Sequence, residues 1–329
     1  MTALLEVDGL TVGFERDGTR SAAVRGVSFE VAAGERVGIV GESGSGKSVT
    51  AQAVMRLLPP SAEVGGAVRF AGDDVLGYDA KRLAGWRGSD IAMVFQDPMS
   101  SLNPLLRIGT QLTEGLRRHR GLGKAAARAE AARLLQTVGI ADAERRLRDY
   151  PHAFSGGMRQ RVCIAIAAAC TPKLIIADEP TTALDVTVQA QVLDLMDELT
   201  DRHGTATVLI SHDLGVVSSF CDRILIMYAG RVVEAGPADD IIARPAHPYT
   251  RALLDSIPRL RGELPRRLPA IPGSPPFGTV PADRCSFADR CPRVQDRCRT
   301  AEPRLDPVAC FFPLTEIPPN GVPRSEEVR

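Results

Sequence analysis

The residues best suited to chemistry begin with Gly41-Glu42-Ser43-Gly44-Ser45-Gly46-Lys47-Ser48. Glycines at this spacing let successive backbone N–H groups turn inward around an anion, a geometry that side chains would obstruct. Lys47 at the end of the run can meet β- and γ-phosphates, and Ser48 can offer its hydroxyl to Mg2+. The flanks supply the supports. Arg36-Val37-Gly38-Ile39-Val40 reads as a short buried strand, and Val49 to Leu58 read as a helix whose positive end faces the phosphates, with Val49 counted in the cradle. The chemistry indicated is binding and hydrolysis of a nucleoside triphosphate.

Further along, Leu174-Ile175-Ile176-Ala177-Asp178-Glu179 reads as a buried strand that delivers two carboxylates at its end. Neighbours in a strand point to opposite faces, so the two acids divide the work. Asp178 suits Mg2+, and Glu179 suits the base or orienter of an attacking water. Two more strands end in polar groups at the same crevice: the apolar run from Ile91 ends in Gln96 before the stop at Pro98, and Ala206 to Ile210 leads to Ser211-His212-Asp213. His212 is placed to touch the γ-phosphate, and Gln96 to reach the same water and metal. Ser155 caps a helix whose first residues, Gly156 and Gly157, leave amides open to an anion. Phe14, upstream of the loop, could stack on an adenine face, although an aromatic in a strand serves a core equally well.

The elements that must position these groups are legible in outline. Leu4 to Val31 alternate and carry glycines, which indicates antiparallel strands, and Gly65 to Ala71 adds another. A helical stretch is expected around Ala80 to Gly88. Residues Ile108 to Arg148 are rich in Ala, Leu, Arg and Glu, and Lys124 to Val138 has helical spacing. They form a helical insertion carried on an α/β core. A long helix is expected to end near His203, and Arg223 to Glu234 read as a terminal hairpin turning at Ala229-Gly230.

Composition narrows the function. Forty Lys and Arg balance forty Asp and Glu, so the basic excess of a nucleic-acid binder is missing. No basic-then-apolar leader is visible, and no apolar run approaches the roughly 18 residues that span a bilayer. The expectation is a cytoplasmic chain that acts at a membrane only through other subunits.

In this order the motifs resemble the ATP-binding subunits of ABC transporters over roughly Leu4 to Pro237. Gly41 to Ser48 match the phosphate loop, Gln96 the Q-loop, Ser155 to Met158 the signature, Asp178 and Glu179 the second Walker motif, Ala183 to Asp185 the D-loop, and His212 the switch histidine. The signature reads Phe-Ser-Gly-Gly-Met where Leu-Ser-Gly-Gly-Gln is commonest, and Phe14 stands where Tyr is more usual. The resemblance implies a P-loop NTPase core of RecA-like type, with an antiparallel β-subdomain and a helical insertion at about residues 100–158. It also implies a head-to-tail dimer in which Ser155 and Gly157 of one subunit face the phosphate loop of the other. Ala246-His247-Pro248-Tyr249-Thr250 and Ile271-Pro272-Gly273-Ser274-Pro275-Pro276 resemble the C-terminal extension of the oligopeptide, dipeptide and nickel importer subfamily, most like the first of two non-identical ATPases. This divides the chain into a nucleotide domain, residues 1–240, and an extension, residues 241–329. Two permeases, a second ATPase and an extracytoplasmic binding protein are the implied partners, at the cytoplasmic face of the membrane. The cargo is a peptide or, alternatively, nickel, an opine or another small solute; a soluble non-transport ABC ATPase is the remaining reading.

Of seven cysteines, Cys163, Cys170 and Cys221 sit among apolar residues, whereas Cys285, Cys291, Cys298 and Cys310 crowd into the tail. Clustered thiols in a reducing compartment favour a metal over disulfides. The absence of a tight Cys pair argues against zinc and toward an iron–sulfur cluster, with zinc or unmetallated thiols as alternatives. Arg284, Arg290, Arg293 and Arg297 could offset the cluster's charge. The family resemblance implies [4Fe–4S].

Overall fold

A computed structural model of the chain describes residues 3–16, 18–181, 185–257, 270–276 and 283–315. Its N-terminal sheet is antiparallel, in the order β2-β1-β4-β5, formed by β1 (Leu5–Arg16), β2 (Thr19–Val31), β4 (Ala62–Phe70) and β5 (Asp73–Asp74). Alternation along β1 buries Leu5 and Val7, then Leu10 and Val12. The step of three in that pattern coincides with a register shift between Val7 and Leu10. One extra residue in the strand would otherwise turn the second pair to solvent; the bulge keeps both pairs on the core face.

The main sheet runs β10-β9-β3-β8-β7-β6. Its strands are β3 (Arg36–Val40), β6 (Ile91–Val94), β7 (Leu174–Asp178), β8 (Ala206–Ser211), β9 (Arg223–Tyr228) and β10 (Arg231–Pro237). All neighbours pair in parallel except β10, which returns antiparallel on β9. The central strands read as unbroken apolar runs because both faces are covered. Leu174, Ile176, Val208 and Ile210 face the antiparallel sheet and the first helix, α1 (Lys47–Val54). Ile175, Ala177 and Leu209 face the other helices. Helix α1 ends earlier than Leu58, because Arg56 adopts φ +52° and Pro59-Pro60 follow. Arg87 Nε, just beyond α2 (Ala80–Trp86), donates to the freed Met55 carbonyl at 2.9 Å.

The helical insertion comprises α3 (Pro98–Ser101), α4 (Ile108–His119), α5 (Lys124–Thr137) and α6 (Ala143–Arg146), leading into α7 (Gly156–Ala168). Ile108, Leu112 and Leu116, spaced by four, make the buried stripe of α4. Helices α8 (Val186–His203) and α9 (Leu214–Phe220) flank the main sheet. Helix α9 lies so close to β3 that a Cβ on Gly38 would stand 2.0 Å from Val217 Cγ1.

The tail folds back onto the core. After α10 (Ala238–Ala243) and α11 (Pro248–Asp255), residues 307–309 pair with the free edge of β10: Ala309 N–H donates to Val233 O at 2.7 Å and Ala235 N–H to Pro307 O at 3.2 Å. A short helix, α12 (Asp296–Thr300), precedes this edge pairing. Glu234 of β10 is buried and accepts hydrogen bonds from Ala246 N (2.7 Å) and His247 N (3.0 Å). The imidazole of His247 caps α11, with Nδ1 accepting from Tyr249 N at 3.0 Å. Its burial disfavours the imidazolium and pushes its pKa from 6.5 to about 4.

Two outcomes follow from this packing. Gly38→Val should cost about 1–3 kcal/mol through overpacking, read as a fall in Tm, and Val217→Ala in the same chain should recover part of it. His247 binds a proton more readily in the unfolded chain, so its neutral burial stabilises the fold above pH 6.5, and that stability is lost as pH falls toward about 4. Thermal unfolding between these pH values should show a slope that His247→Asn flattens, since Asn can still cap the helix.

Candidate functional site

The phosphate loop is tightly enclosed by its neighbours. A Cβ on Gly41 would approach Met227 O to 2.2 Å, and one on Gly46 would approach Ala23 O to 2.6 Å. Gly46 also holds φ +101°, so both sterics and backbone conformation exclude a side chain there. The loop is tied internally by Ser45 N to Glu42 O (3.2 Å) and externally by Gly230 N to Ser45 O (2.9 Å). Ser43 and Gly44 are exposed at its tip.

Lys47 is 4% exposed. Its ammonium donates to Gly41 O at 2.8 Å and Glu42 O at 3.1 Å. Burial pulls its pKa down, while the carboxylates of Glu179, Asp178 and Glu42 oppose that shift. The Ser45 hydroxyl is buried without a hydrogen-bond partner. An orphan donor beside a buried cation, in a loop without bulky side chains, suits a polyphosphate.

Ser48 Oγ donates to Asp178 Oδ1 at 2.9 Å, joining α1 to the end of β7. Burial raises the Asp178 pKa, partly offset by the serine hydrogen bond. A hydroxyl and a desolvated carboxylate together form a hard oxygen donor set, the kind Mg2+ takes.

The two adjacent acids separate by a route other than the strand pleat. β7 stops at Asp178, and Glu179 adopts φ +47°, unusual for a side chain with a Cβ. Its N–H donates to Ile210 O at 2.9 Å, which holds the turn against β8. Strain of this kind persists only where the surroundings enforce it. The turn sends the carboxylate toward two other strand ends. Glu179 Oε2 accepts from Gln96 Nε2 at 3.0 Å and lies 3.2 Å from His212 Nδ1. Three segments far apart in sequence thus converge on one oxygen.

Other candidate residues occupy different places. Ser155 Oγ accepts from Met158 N at 3.3 Å as the cap of α7, Gly156 has open space around it, and a Cβ on Gly157 would meet Val188 Cγ1 at 2.8 Å. Among the described residues, no hydrogen bond or ion pair joins this stretch to the phosphate loop. Asp185 is exposed and caps α8 through Val188 N at 2.9 Å; Ala183 and Leu184 lie outside the described residues. Phe14 is half-buried and packs against the core of the antiparallel sheet.

Residues 24–182 match the ABC transporter family, and residues 233–298 match the oligopeptide/dipeptide transporter C-terminal region. The oligopeptide transport ATP-binding protein OppD of Salmonella typhimurium is 48% identical over 321 residues, covering 95% of each chain. The chain belongs to the ATP-binding proteins of ABC transporters. AppD of Bacillus subtilis, also an oligopeptide transport ATP-binding protein, is 48% identical over 93% of each chain. Among solved structures, a dimeric ATP-binding cassette in a post-hydrolysis state with ADP and Pi superposes with a TM-score of 0.65 at 29% identity, covering 71% of this chain and 98% of that one. The chain is therefore an ATPase. No helix among the described residues is long and apolar enough to cross a membrane.

The iron–sulfur expectation is overturned. Cys285, Cys291, Cys298 and Cys310 do line one cavity, but it measures about 10 Å³ and is shared with Phe287, Phe311 and Phe312. That is about one water molecule of space. Burial pushes the Cys285 thiol up to about 11 and raises Cys291 and Cys310 as well. Among the described residues, no group of three or more His, Cys, Asp or Glu side chains is arranged to hold a metal ion. Three of the four arginines read as charge partners of a cluster are engaged with other groups, while Arg293 lines the cysteine cavity. Arg284 pairs with Asp289 at 3.0 Å, Arg297 lies over the Phe311 ring at 4.3 Å, and Arg290 pairs with Glu42 of the phosphate loop at 2.6 Å.

That last contact, together with Tyr249 on the Glu42 amide, is what sequence reasoning missed. The only signal was the presence of an arginine and a tyrosine in motifs assigned to the tail. The packing around Gly46 makes Gly46→Ala a direct probe of the loop. The variant should lose about tenfold or more in affinity for mant-ATP, because φ > 0 and the Ala23 carbonyl both oppose a Cβ, while far-ultraviolet circular dichroism stays native.

Proposed function

We propose that this chain is the ATP-hydrolysing subunit of a membrane ABC importer, and that it energises uptake of di- or oligopeptides. The observation that carries the reading is the convergence of Gln96 and His212 on Glu179, beside the Ser48–Asp178 pair, in a chain with an oligopeptide-transporter tail. Relatives named for oligopeptide transport, alike over nearly their whole length, support the cargo class.

In this reading the backbone of Gly41 to Val49 cradles the ATP phosphates, Lys47 meets the β- and γ-phosphates, and Phe14 stacks on adenine. Ser48, Asp178 and Gln96 would hold Mg2+, which would supply neutralisation of charge on the phosphate oxygens. Glu179 orients a water and accepts its proton as the water oxygen bonds to the γ-phosphorus and the bond to the bridging oxygen breaks. His212 and Gln96 hold the Glu179 carboxylate and sense the γ-phosphate. Ser155, Gly156, Gly157 and Asp185 serve the composite site formed with a second, non-identical ATPase. Two permeases and an extracytoplasmic solute-binding protein complete the complex at the cytoplasmic face, without nucleic acid. Residues 1–240, with an insertion at about 100–158, act as the nucleotide domain, and residues 241–329 as the extension.

Glu179→Gln keeps the shape and removes the basicity. In the assembled complex it should retain mant-ATP binding and lose about 10²- to 10⁴-fold in turnover. Wild-type turnover in that variant would remove Glu179 from its role. Purification of the tagged chain from detergent-solubilised membranes should recover two multi-spanning proteins and a second ATPase, and uptake of labelled peptide should require all of them.

A further inference from the structure

The extension does not hang away from the nucleotide site. Arg290, in the tight turn Ala288–Arg290, is 7% exposed and reaches across the molecule to Glu42, the second residue of the phosphate loop. Its guanidinium makes a two-pronged pair with the Glu42 carboxylate, 2.6 Å from Nη1 to Oε2 and 2.9 Å from Nη2 to Oε1. Nε donates to Pro272 O at 2.8 Å, so a second segment of the extension fixes the same guanidinium. From α11, Tyr249 is completely buried, and its hydroxyl accepts the backbone N–H of Glu42 at 2.9 Å. Both the side chain and the amide of one loop residue are therefore held by the extension.

Aromatic packing anchors these two groups. Tyr228, Tyr249 and Phe287 form a ring cluster with centroids 4.7–5.4 Å apart, linking β9, α11 and the turn before Arg290. A second tie approaches the loop from beneath. Glu302 pairs with Arg25 of β2 at 3.1 Å and with Arg231 of β10. These strands flank Gly230, whose N–H donates to Ser45 O and whose carbonyl accepts from Arg25 N at 2.7 Å.

We propose that Arg290 and Tyr249 are positioning residues for ATP binding: the extension clamps Glu42 and so holds the phosphate loop in the shape that receives the nucleotide. This goes beyond docking of the tail and rests on the ATPase reading alone, not on the cargo. A planar guanidinium against a carboxylate fixes orientation as well as distance, which a lysine could not reproduce. The Glu42 carboxylate also borders the Lys47 ammonium, so an unpaired Glu42 would change the field at the phosphate-binding cation. A flexible loop must be ordered before it binds, and a clamp removes that cost. The groups Glu179, Gln96 and His212 are not touched by the clamp, so its loss should weaken binding more than turnover.

The test is mant-ATP titration of the full-length chain, with steady-state ATP hydrolysis by the assembled complex. Tyr249→Phe removes one hydroxyl and keeps the ring. Arg290→Gln removes the ion pair, Arg290→Lys restores its charge with fewer hydrogen bonds, and Glu42→Gln breaks the pair from the loop side. Tyr249→Phe and Arg290→Gln should each weaken mant-ATP binding and raise the KM for ATP by about three- to tenfold, with kcat within about twofold of wild type. Arg290→Lys should fall between. Glu42→Gln combined with Arg290→Gln should be no worse than the weaker-binding single variant, because the pair is one interaction. Arg284→Gln, a charge loss in the same part of the extension, should leave affinity unchanged. The proposal is overturned if Tyr249→Phe and Glu42→Gln bind mant-ATP as wild type does, if the Glu42 and Arg290 losses add, or if the variants lower Tm without moving ATP affinity. Nucleotide titration of the single chain requires no cargo, so a failure of peptide uptake would sink the importer reading and leave the clamp standing.

Discussion

The structure is arranged around a cation kept out of water. Lys47 is buried, its ammonium meets two carbonyls of its own loop, and three carboxylates, Glu179, Asp178 and Glu42, act on it together. A desolvated charge is costly unless its surroundings hold it, and these surroundings come from β3, β7 and the loop between β3 and α1. Each carboxylate is itself restrained: Asp178 by Ser48, Glu179 by Gln96 and His212, and Glu42 by Arg290. Positioning at one point therefore propagates outward through paired groups to the helical insertion, to β8 and to the extension.

The parallel sheet explains why these groups can meet. Adjacent parallel strands end at the same edge, so β3, β6, β7 and β8 deliver the phosphate loop, Gln96, Glu179 and His212 to one crevice. Cover on both faces of the sheet leaves that edge as the accessible polar surface of the core. The left-handed turn at Glu179 then redirects one carboxylate from the axis of its strand toward its neighbours. Strain there is offset by the hydrogen bond to Ile210 and by burial of the strand behind it.

The cysteine-rich tail shows ligand type and packing in opposition. Four thiols close in sequence favour a metal on ligand type alone, and they do approach one another. The aromatic rings of Phe287, Phe311 and Phe312 pack into the same space, however, and the cavity left is too small and too apolar for the cluster. The aromatic cluster and the edge pairing on β10 hold this segment, which frees Arg290 to serve the phosphate loop instead.

Local sequence was sufficient wherever a function needs contiguous residues. The spacing of Gly41, Gly44, Gly46, Lys47 and Ser48 marked the phosphate loop, because its glycines, lysine and serine are contiguous in sequence. The apolar runs ending in Asp178-Glu179, Gln96 and His212 determined the strands and their polar ends, because burial on both faces leaves an unbroken hydrophobic signature. The Ser155 cap and the alanine-rich insertion were legible for similar local reasons. Only the tertiary structure decided that Gln96 and His212 share one oxygen of Glu179, that a turn and not the pleat separates the two acids, and that the cysteines pack around rings. It also decided that Arg290 and Tyr249 reach Glu42, more than 200 residues away in sequence. Such contacts follow from how sheets and tail are brought together, and long-range packing leaves no periodicity in the residues that make it.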